Sequence, residues 1–313
     1  MITYYEQFIM KNKDVFIIAG PCSINYNNIY IIDDIANIEI NNKKVVFGTR
    51  IVGLKSRTEF HSDSKLMGID CEIYLENLDN FIKNHSFKNF QKLPSIDIAN
   101  NAIKKYNILV STEIMDPSIQ MFTFDKYLPN DKVMVWNPAV NQLGWNQLIM
   151  SKFCKKNNWL LGFKNPKTLG GKYEEINKNN DSFYVKQIWS KLTTYTSFLS
   201  NDNKILIHRG VEIPEKGDFR SALIHDIAKK VKLETGCKLF FDPSHSYGPK
   251  LRDKIPNAII ESLQMKINED EYLYDGIIVE TGFSLTDNDQ HISVEELTKV
   301  LKEVSKFREF KIR

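Results

Sequence analysis

Eight short apolar runs, helix-spaced segments between them, and a polar residue closing every run predict an α/β chain wound as one (β/α)8 TIM barrel. In chain order the runs begin DVFIIAGP (14–21), KVVFGTR (44–50), NILVSTEI (107–114) and KVMVWNPA (132–139). They continue with WLLGFKNP (159–166), KILIHRG (204–210), CKLFFDPSH (237–245) and DGIIVETG (275–282). Each has the length of a strand and is continuous where a half-exposed strand would alternate, the pattern of a parallel sheet covered on both faces.

Between the runs, CEIYLENLDNFIKN (71–84), Pro94 to Tyr106, Gly144 to Asn157, FRSALIHDIAKKVKLETG (219–236) and VEELTKVLKEVSKF (294–307) carry helical spacing. Pro94 and Ser95 give the second of these a start signal. A doubly wound open sheet is the competing architecture. It would normally place a glycine-rich phosphate loop after the first strand, but Gly20 is followed by Pro21 and Cys22. Gly170-Gly171-Lys172 lacks the upstream Gly and the following Ser or Thr of a P-loop. The first run starts at residue 14 and no low-complexity linker divides the chain. The reading is therefore a single catalytic domain over 1–313, with a short N-terminal extension and no separate regulatory domain.

The chain is 42% apolar and 26% charged, with 42 Lys plus Arg against 39 Asp plus Glu. Balanced charge gives no basic face for nucleic acid, and the C-terminal KFREFKIR reads as a solvated helix end. The N-terminal MITYYEQFIMKNKD has no apolar h-region, and no run approaches the roughly 18 apolar residues of a membrane span. Cysteines 22, 71, 154 and 237 form neither CxxC pairs nor a disulfide framework. A reduced, cytoplasmic protein is expected, with neither nucleic acid nor membrane as partner.

The polar residues closing the runs are Cys22, Arg50, Glu113, Asn137, Lys164 with Asn165, His208 with Arg209, Asp242 with His245, and Glu280. Taken singly, a strand-end Cys, Lys or His is more often a core or capping residue than a ligand. Together they would ring the C-terminal mouth of a barrel, where chemistry collects. Cys22, His245 and Glu280 come from runs one, seven and eight, neighbours in a closed barrel, and Asp287 can return from the last loop. Sulfur, imidazole and two carboxylates suit one borderline divalent metal ion: Mn, Fe, Co or Zn. Arg50, Lys55, Arg57, Lys164 and Arg209 would repel one another without an anion between them, and suit phosphate and carboxylate recognition.

The motifs IIAGPCS (17–23), RIVGLKSRT (50–58), TEIMDP (112–117), GFKNP (162–166), IHRG (207–210), DPSH (242–245) and IVE (278–280) with LTDNDQ (285–290) occur in this order. In that set and order the chain resembles the class I 3-deoxy-7-phosphoheptulonate (DAHP) synthases, within the DAHP and 3-deoxy-octulosonate-8-phosphate synthase family. The resemblance runs from residue 14 to about 292 and is closest to the shorter type without an N-terminal regulatory domain. It implies metal-dependent, aldol-type condensation of phosphoenolpyruvate with erythrose 4-phosphate. Phosphate is released and 3-deoxy-D-arabino-heptulosonate 7-phosphate is formed, the first step of the shikimate pathway to the aromatic amino acids. It also implies a homo-oligomer, dimer or tetramer.

By the same resemblance Cys22, His245, Glu280 and Asp287 hold the metal, and Arg50, Lys55 and Lys164 grip the carboxylate of phosphoenolpyruvate. Arg209 binds its phosphate and Glu113 organises water nearby. Arg57 and Thr58, with Ser56 beside them, bind the aldose phosphate. Lys55, Lys164 and His245 form the catalytic set, Lys55 supplying charge or a proton to the forming alkoxide.

The chain departs from the family pattern in three places. Trp136 stands where an Arg usually clamps the phosphate of phosphoenolpyruvate, and an indole has one donor and no charge. Lys55-Ser56-Arg57-Thr58 replaces Lys-Pro-Arg-Thr, and Thr281-Gly282-Phe283 replaces the His that follows the last strand's Glu. Two alternatives stand beside the first reading: a paralogue condensing phosphoenolpyruvate with a different aldose, and a non-catalytic, anion-binding barrel.

Overall fold

The computed structural model describes residues 13–59, 62–172, 174 and 183–312, with the side chains of 57–59 and 62–66 left out of the description. In chain order the first elements are β1 (Asp14–Gly20), α1 (Tyr30–Ala36), a hairpin of β2 (Glu39–Ile40) and β3 (Lys43–Lys44), and β4 (Gly48–Arg50). A second hairpin, β5 (Lys55–Glu59) with β6 (Ser62–Met67), leads to α2 (Cys71–Asn84), α3 (Pro94–Tyr106), β7 (Leu109–Glu113) and α4 (Ile119–Tyr127). Then come β8 (Val133–Trp136), α5 (Gly144–Asn157), β9 (Leu160–Lys164), α6 (Tyr184–Thr194), β10 (Lys204–His208) and α7 (His225–Thr235). The chain ends with β11 (Lys238–Phe241), α8 (Pro243–Tyr247), α9 (Ile255–Gln264), β12 (Gly276–Glu280), α10 (Val294–Val304) and β13 (Glu309–Phe310).

Strands β1, β4, β7, β8, β9, β10, β11 and β12 pair in that order, and β12 returns to β1 in parallel register from Phe16↔Gly276 to Gly20↔Glu280. The sheet closes, so the chain is a (β/α)8 barrel and the open-sheet alternative falls. The continuous apolar runs follow from burial on both faces. Phe16, Ile18, Met134, Trp136, Ile205, Ile207, Phe240 and Ile278 fill the interior. Val15, Ile17, Val133, Val135, Leu206, Leu239 and Phe241 face the surrounding helices. Gly162 in β9 gives way to the largest interior side chain, since a Cβ there would lie 2.8 Å from the Cβ of Trp136.

Helices α2, α3 and α5 span the residues that periodicity predicts. Helix α7 starts at His225, six residues later than Phe219. Residues before it bend through a loop: Ala222 bridges Val211, and Arg220 and Ser221 donate their backbone N–H groups to Tyr247 and Ser246. Helices α1, α4, α6, α8 and α9 lie outside the segments that the sequence reading assigned as helices. In α4, IQMFTFDKY is buried on several sides, so no polar stripe marks its helical period. The C-terminal expectation is corrected: Glu309 and Phe310 form a strand on Asp14 and Val15, and Arg308 is buried beneath them. No helix among the described residues is long and apolar enough to cross a membrane.

Candidate active site

Pairing of Gly20 with Glu280 sets the ends of β1 and β12 side by side at the barrel mouth. Cys22, two residues on, places Sγ 3.7 Å from Oδ2 of Asp287. Donor atoms of Cys22, Glu280 and Asp287 lie within 4.8 Å of one another. Asp287 reaches this position with a left-handed backbone, φ 52°, after the β12 strand has turned back. Hydroxyls tie the two loops: Ser23 Oγ contacts Thr286 Oγ1 and lies 3.3 Å from Ser284 Oγ, all buried.

His245 stands on the short helix α8, whose start Asp242 caps by accepting from the His245 backbone N–H at 3.2 Å. The same carboxylate lies 3.0 Å from Nδ1, which turns Nε2 toward Glu280 Oε1 at 3.6 Å. A carboxylate on one ring nitrogen, with the other aimed at the donor cluster, is how proteins orient imidazole ligands. Thus His245 adjoins the three-donor group through Glu280.

Glu280 is engaged on both oxygens. Arg50 Nη2 donates to Oε1 at 3.0 Å and Gln290 Nε2 donates to Oε2. Burial penalises its charge, yet His245, Arg50 and His291 hold the carboxyl well below the usual range. Burial pushes the Cys22 thiol up, with Glu280 adding to the rise. A protonated thiol must therefore release its proton when a cation binds. The donor chemistry fits a borderline divalent cation, and a further buried donor, His291 Nε2, has no hydrogen-bond partner.

Beside this cluster lies a cavity of about 140 Å³ lined by five cations: Lys55, Lys164, Lys167, Arg209 and Arg220. Glu113 balances two of them, with Lys55 on Oε2 and Lys164 3.3 Å from Oε1. Burial would raise the Glu113 carboxyl, but Lys164 and Lys55 hold it well below the carboxylate range. For Lys55, burial opposes the charge, and Cys22 and Glu113 more than offset it, leaving the ammonium above its usual range. Burial draws Lys164 down, with Glu113 and Asp242 opposing. Arg209 is buried and its Nη1 has no hydrogen-bond partner. Ser56, exposed, sits on the cavity rim.

Several expected members of the mouth lie elsewhere. His208 turns outward, its Nδ1 2.7 Å from Tyr274 Oη in the layer under the helices, so it does not join the ring. Asn137 and Asn165 latch neighbouring strands: Asn137 Oδ1 accepts from Lys164 N at 3.0 Å, and Asn165 Oδ1 from Arg209 N at 2.8 Å. Arg50 is wholly buried against Glu280 and leaves Nε and Nη1 without partners. The side chains of Arg57 and Thr58 lie outside the described residues.

The expectation for Trp136 is corrected. Its indole fills the barrel interior, with Arg50 Cζ 5.6 Å and Lys164 Nζ 5.8 Å from the ring. The β8 loop meets the cavity instead with Pro138, Ala139 and Val140. Three residues at the mouth escaped sequence reasoning: Arg220, Gln290 and His291. Arg220 was hidden in a segment read as helix. Gln290 and His291 follow Glu280 by ten and eleven residues, a spacing that only the returning loop explains.

No protein-family model matches the chain, and no curated protein matches it in sequence. Among solved structures it is similar to a DAHP synthase (phospho-2-dehydro-3-deoxyheptonate aldolase) from Thermotoga maritima, with 19% identity and a TM-score of 0.65. That match covers 94% of this chain and 69% of the other. It is also similar to a truncated 3-deoxy-D-arabino-heptulosonate 7-phosphate synthase from Thermotoga maritima, at 18% identity and a TM-score of 0.64. There 95% of this chain and 88% of the other are covered, so the likeness extends over the whole barrel fold.

Proposed function

We propose that this barrel condenses phosphoenolpyruvate with erythrose 4-phosphate, releasing phosphate and forming 3-deoxy-D-arabino-heptulosonate 7-phosphate. The observation that carries the reading is the juxtaposition of the Cys22, Glu280 and Asp287 donors with a five-cation cavity at one mouth. A divalent cation held by Cys22, Glu280, Asp287 and His245 would supply Lewis acidity toward an aldehyde oxygen.

The chain's own groups divide the remaining work. Lys164 and Arg209 hold the anionic ends of phosphoenolpyruvate in the cavity, and Arg50, buried behind them, anchors Glu280. As C3 of the enol bonds to the aldehyde carbon, Lys55, kept charged beside Glu113, stands ready to give its proton to the forming alkoxide. Glu113, held ionised between two lysines, positions those lysines and takes up no proton near neutral pH. Water adds to C2 and returns one proton to Lys55. The phospho-hemiketal then collapses, its C2 hydroxyl becoming the ketone as the C2–O bond to phosphate breaks, and the second proton leaves with phosphate toward Arg209 and Lys164.

The test is phosphate release from phosphoenolpyruvate with a panel of aldoses and aldose phosphates, before and after chelation. Turnover with erythrose 4-phosphate, abolished by chelator and restored by Mn, Fe, Co or Zn salts, is expected. Turnover on a different sugar alone would establish the alternative, the same chemistry on another aldose. Absence of release with every sugar and metal would leave only an anion-binding barrel.

A further inference from the structure

The cations around the cavity are not equally committed. Lys55 and Lys164 are matched by Glu113, and Lys167 pairs with Glu212 at 3.0 Å. Arg209, buried and with Nη1 unpartnered, has no carboxylate within ion-pair distance among the described residues. Arg220 reaches the same cavity from the loop before α7. Its Nη1 donates to Gln290 Oε1 and lies 3.3 Å from Asp287 Oδ1.

Local structure aims Arg220 there. Its backbone N–H donates to Tyr247 O at 3.2 Å and its carbonyl accepts from Lys216 Nζ at 3.0 Å. Its side chain then crosses Gly248, where a Cβ would stand 2.5 Å from the Arg220 Cβ. After burial, the Arg220 charge is the strongest influence lowering the Arg209 guanidinium. Two neighbouring guanidiniums, one with an orphaned N–H, cost free energy until an anion lies between them. The β8 loop adds only Pro138, Ala139 and Val140 to the lining.

We infer that Arg220 is the second guanidinium of a phosphoryl subsite, gripping a phosphate dianion together with Arg209 and so setting specificity for a phosphorylated substrate. Forked donors on two sides match tetrahedral phosphate oxygens, which one arginine cannot satisfy alone. The assignment of that phosphate to phosphoenolpyruvate rests on the function proposed above. The subsite itself rests on the geometry.

Calorimetric titration of the full chain after chelation tests it, with phosphoenolpyruvate, inorganic phosphate and pyruvate as probes. In the Arg220→Gln variant, affinity for the first two should fall by about tenfold or more, with pyruvate changed less than about twofold. Arg220→Lys, which keeps charge without the fork, should fall between wild type and Arg220→Gln and guards against a folding defect in the latter. Phosphate and phosphoenolpyruvate affinities within about twofold of wild type in Arg220→Gln, at unchanged melting temperature, would overturn the subsite. Arg220-dependent binding of inorganic phosphate without binding of phosphoenolpyruvate would uphold the subsite and remove the proposed substrate. Turnover that ignores Arg220→Gln would do the reverse. Wild-type protein that binds neither anion would also overturn the subsite.

Discussion

Asp242 ends β11 with a single carboxylate directed three ways: to the His245 backbone, to His245 Nδ1, and to Lys164 Nζ at 3.7 Å. Burial would raise its pKa, but His245 and Lys164 draw it down to about 2. A carboxyl lowered in the fold stabilises it above the ordinary aspartate pKa, and that contribution is lost as pH falls through about 2. Near neutrality the ion therefore holds the imidazole with its proton on Nδ1 and leaves Nε2 free to ligate. Asp242→Asn keeps size but can present an amide donor to Nδ1, favouring the wrong tautomer. Metal affinity, read by competition with a chromophoric chelator, should drop about 10- to 100-fold. An unchanged affinity would remove His245 from the ligand set.

At the scale of elements, Asp70 begins α2 but serves α3. Its Oδ1 accepts from Ser95 N at 2.8 Å and its Oδ2 from Ser95 Oγ at 2.6 Å, capping the helix that Pro94 opens. Asp70 N–H donates to Gly53 O at 2.9 Å, and a Cβ on Gly53 would fall 2.0 Å from Oδ2. The joint thus fixes the stretch that delivers Lys55, two residues after Gly53. Burial raises the Asp70 carboxyl to about 6, against the hydrogen bonds from Ser95. The folded state then binds this proton more tightly than the unfolded chain. Its stabilisation is full below the ordinary value of 3.8 and is lost as pH rises through about 6. Asp70→Asn should flatten this loss, gaining on the order of 3 kcal/mol relative to wild type between pH 4 and 7.5 in urea unfolding. Parallel pH profiles for the two proteins would show that Asp70 titrates normally.

Over the whole molecule, stability and chemistry occupy opposite ends of the barrel. At the bottom, Arg308 donates to Lys13 O at 3.1 Å, Leu263 O at 2.9 Å, Tyr274 O at 3.2 Å and Asp14 O at 2.5 Å. Its guanidinium also lies 3.9 Å from the Tyr272 ring centroid. One side chain thereby joins the start of β1, the end of α9, the approach to β12 and the C-terminal strand. Arg308→Met would leave several buried carbonyls without donors and should cost about 3 kcal/mol or more in unfolding free energy. Because Cys22, Glu280 and Asp287 lie at the other mouth, metal affinity of the folded variant should match wild type. A lowered affinity at temperatures where the variant is fully folded would show that the two ends are coupled.

What could be read from sequence were features that each residue carries with its near neighbours. Continuous apolar runs gave the eight barrel strands, since burial on both faces removes polar alternation, and amphipathic spacing gave α2, α3 and α5 to the residue. Cys22, Glu280 and Asp287 could be foreseen as a group because a closed parallel barrel makes its first and last strands neighbours. What needed tertiary structure was direction. His208 and Arg209 are adjacent in sequence, yet one turns under the helices and the other lines the cavity, because side chains alternate along a strand. Trp136 belongs to the interior because Gly162 on the next strand makes room for it. Arg220 reaches the cation-lined cavity past Gly248, in a segment whose helical spacing gives way to pairing with Val211, Ser246 and Tyr247. Local pattern sets which faces are buried, but only the packed strands and returning loops decide which polar groups meet.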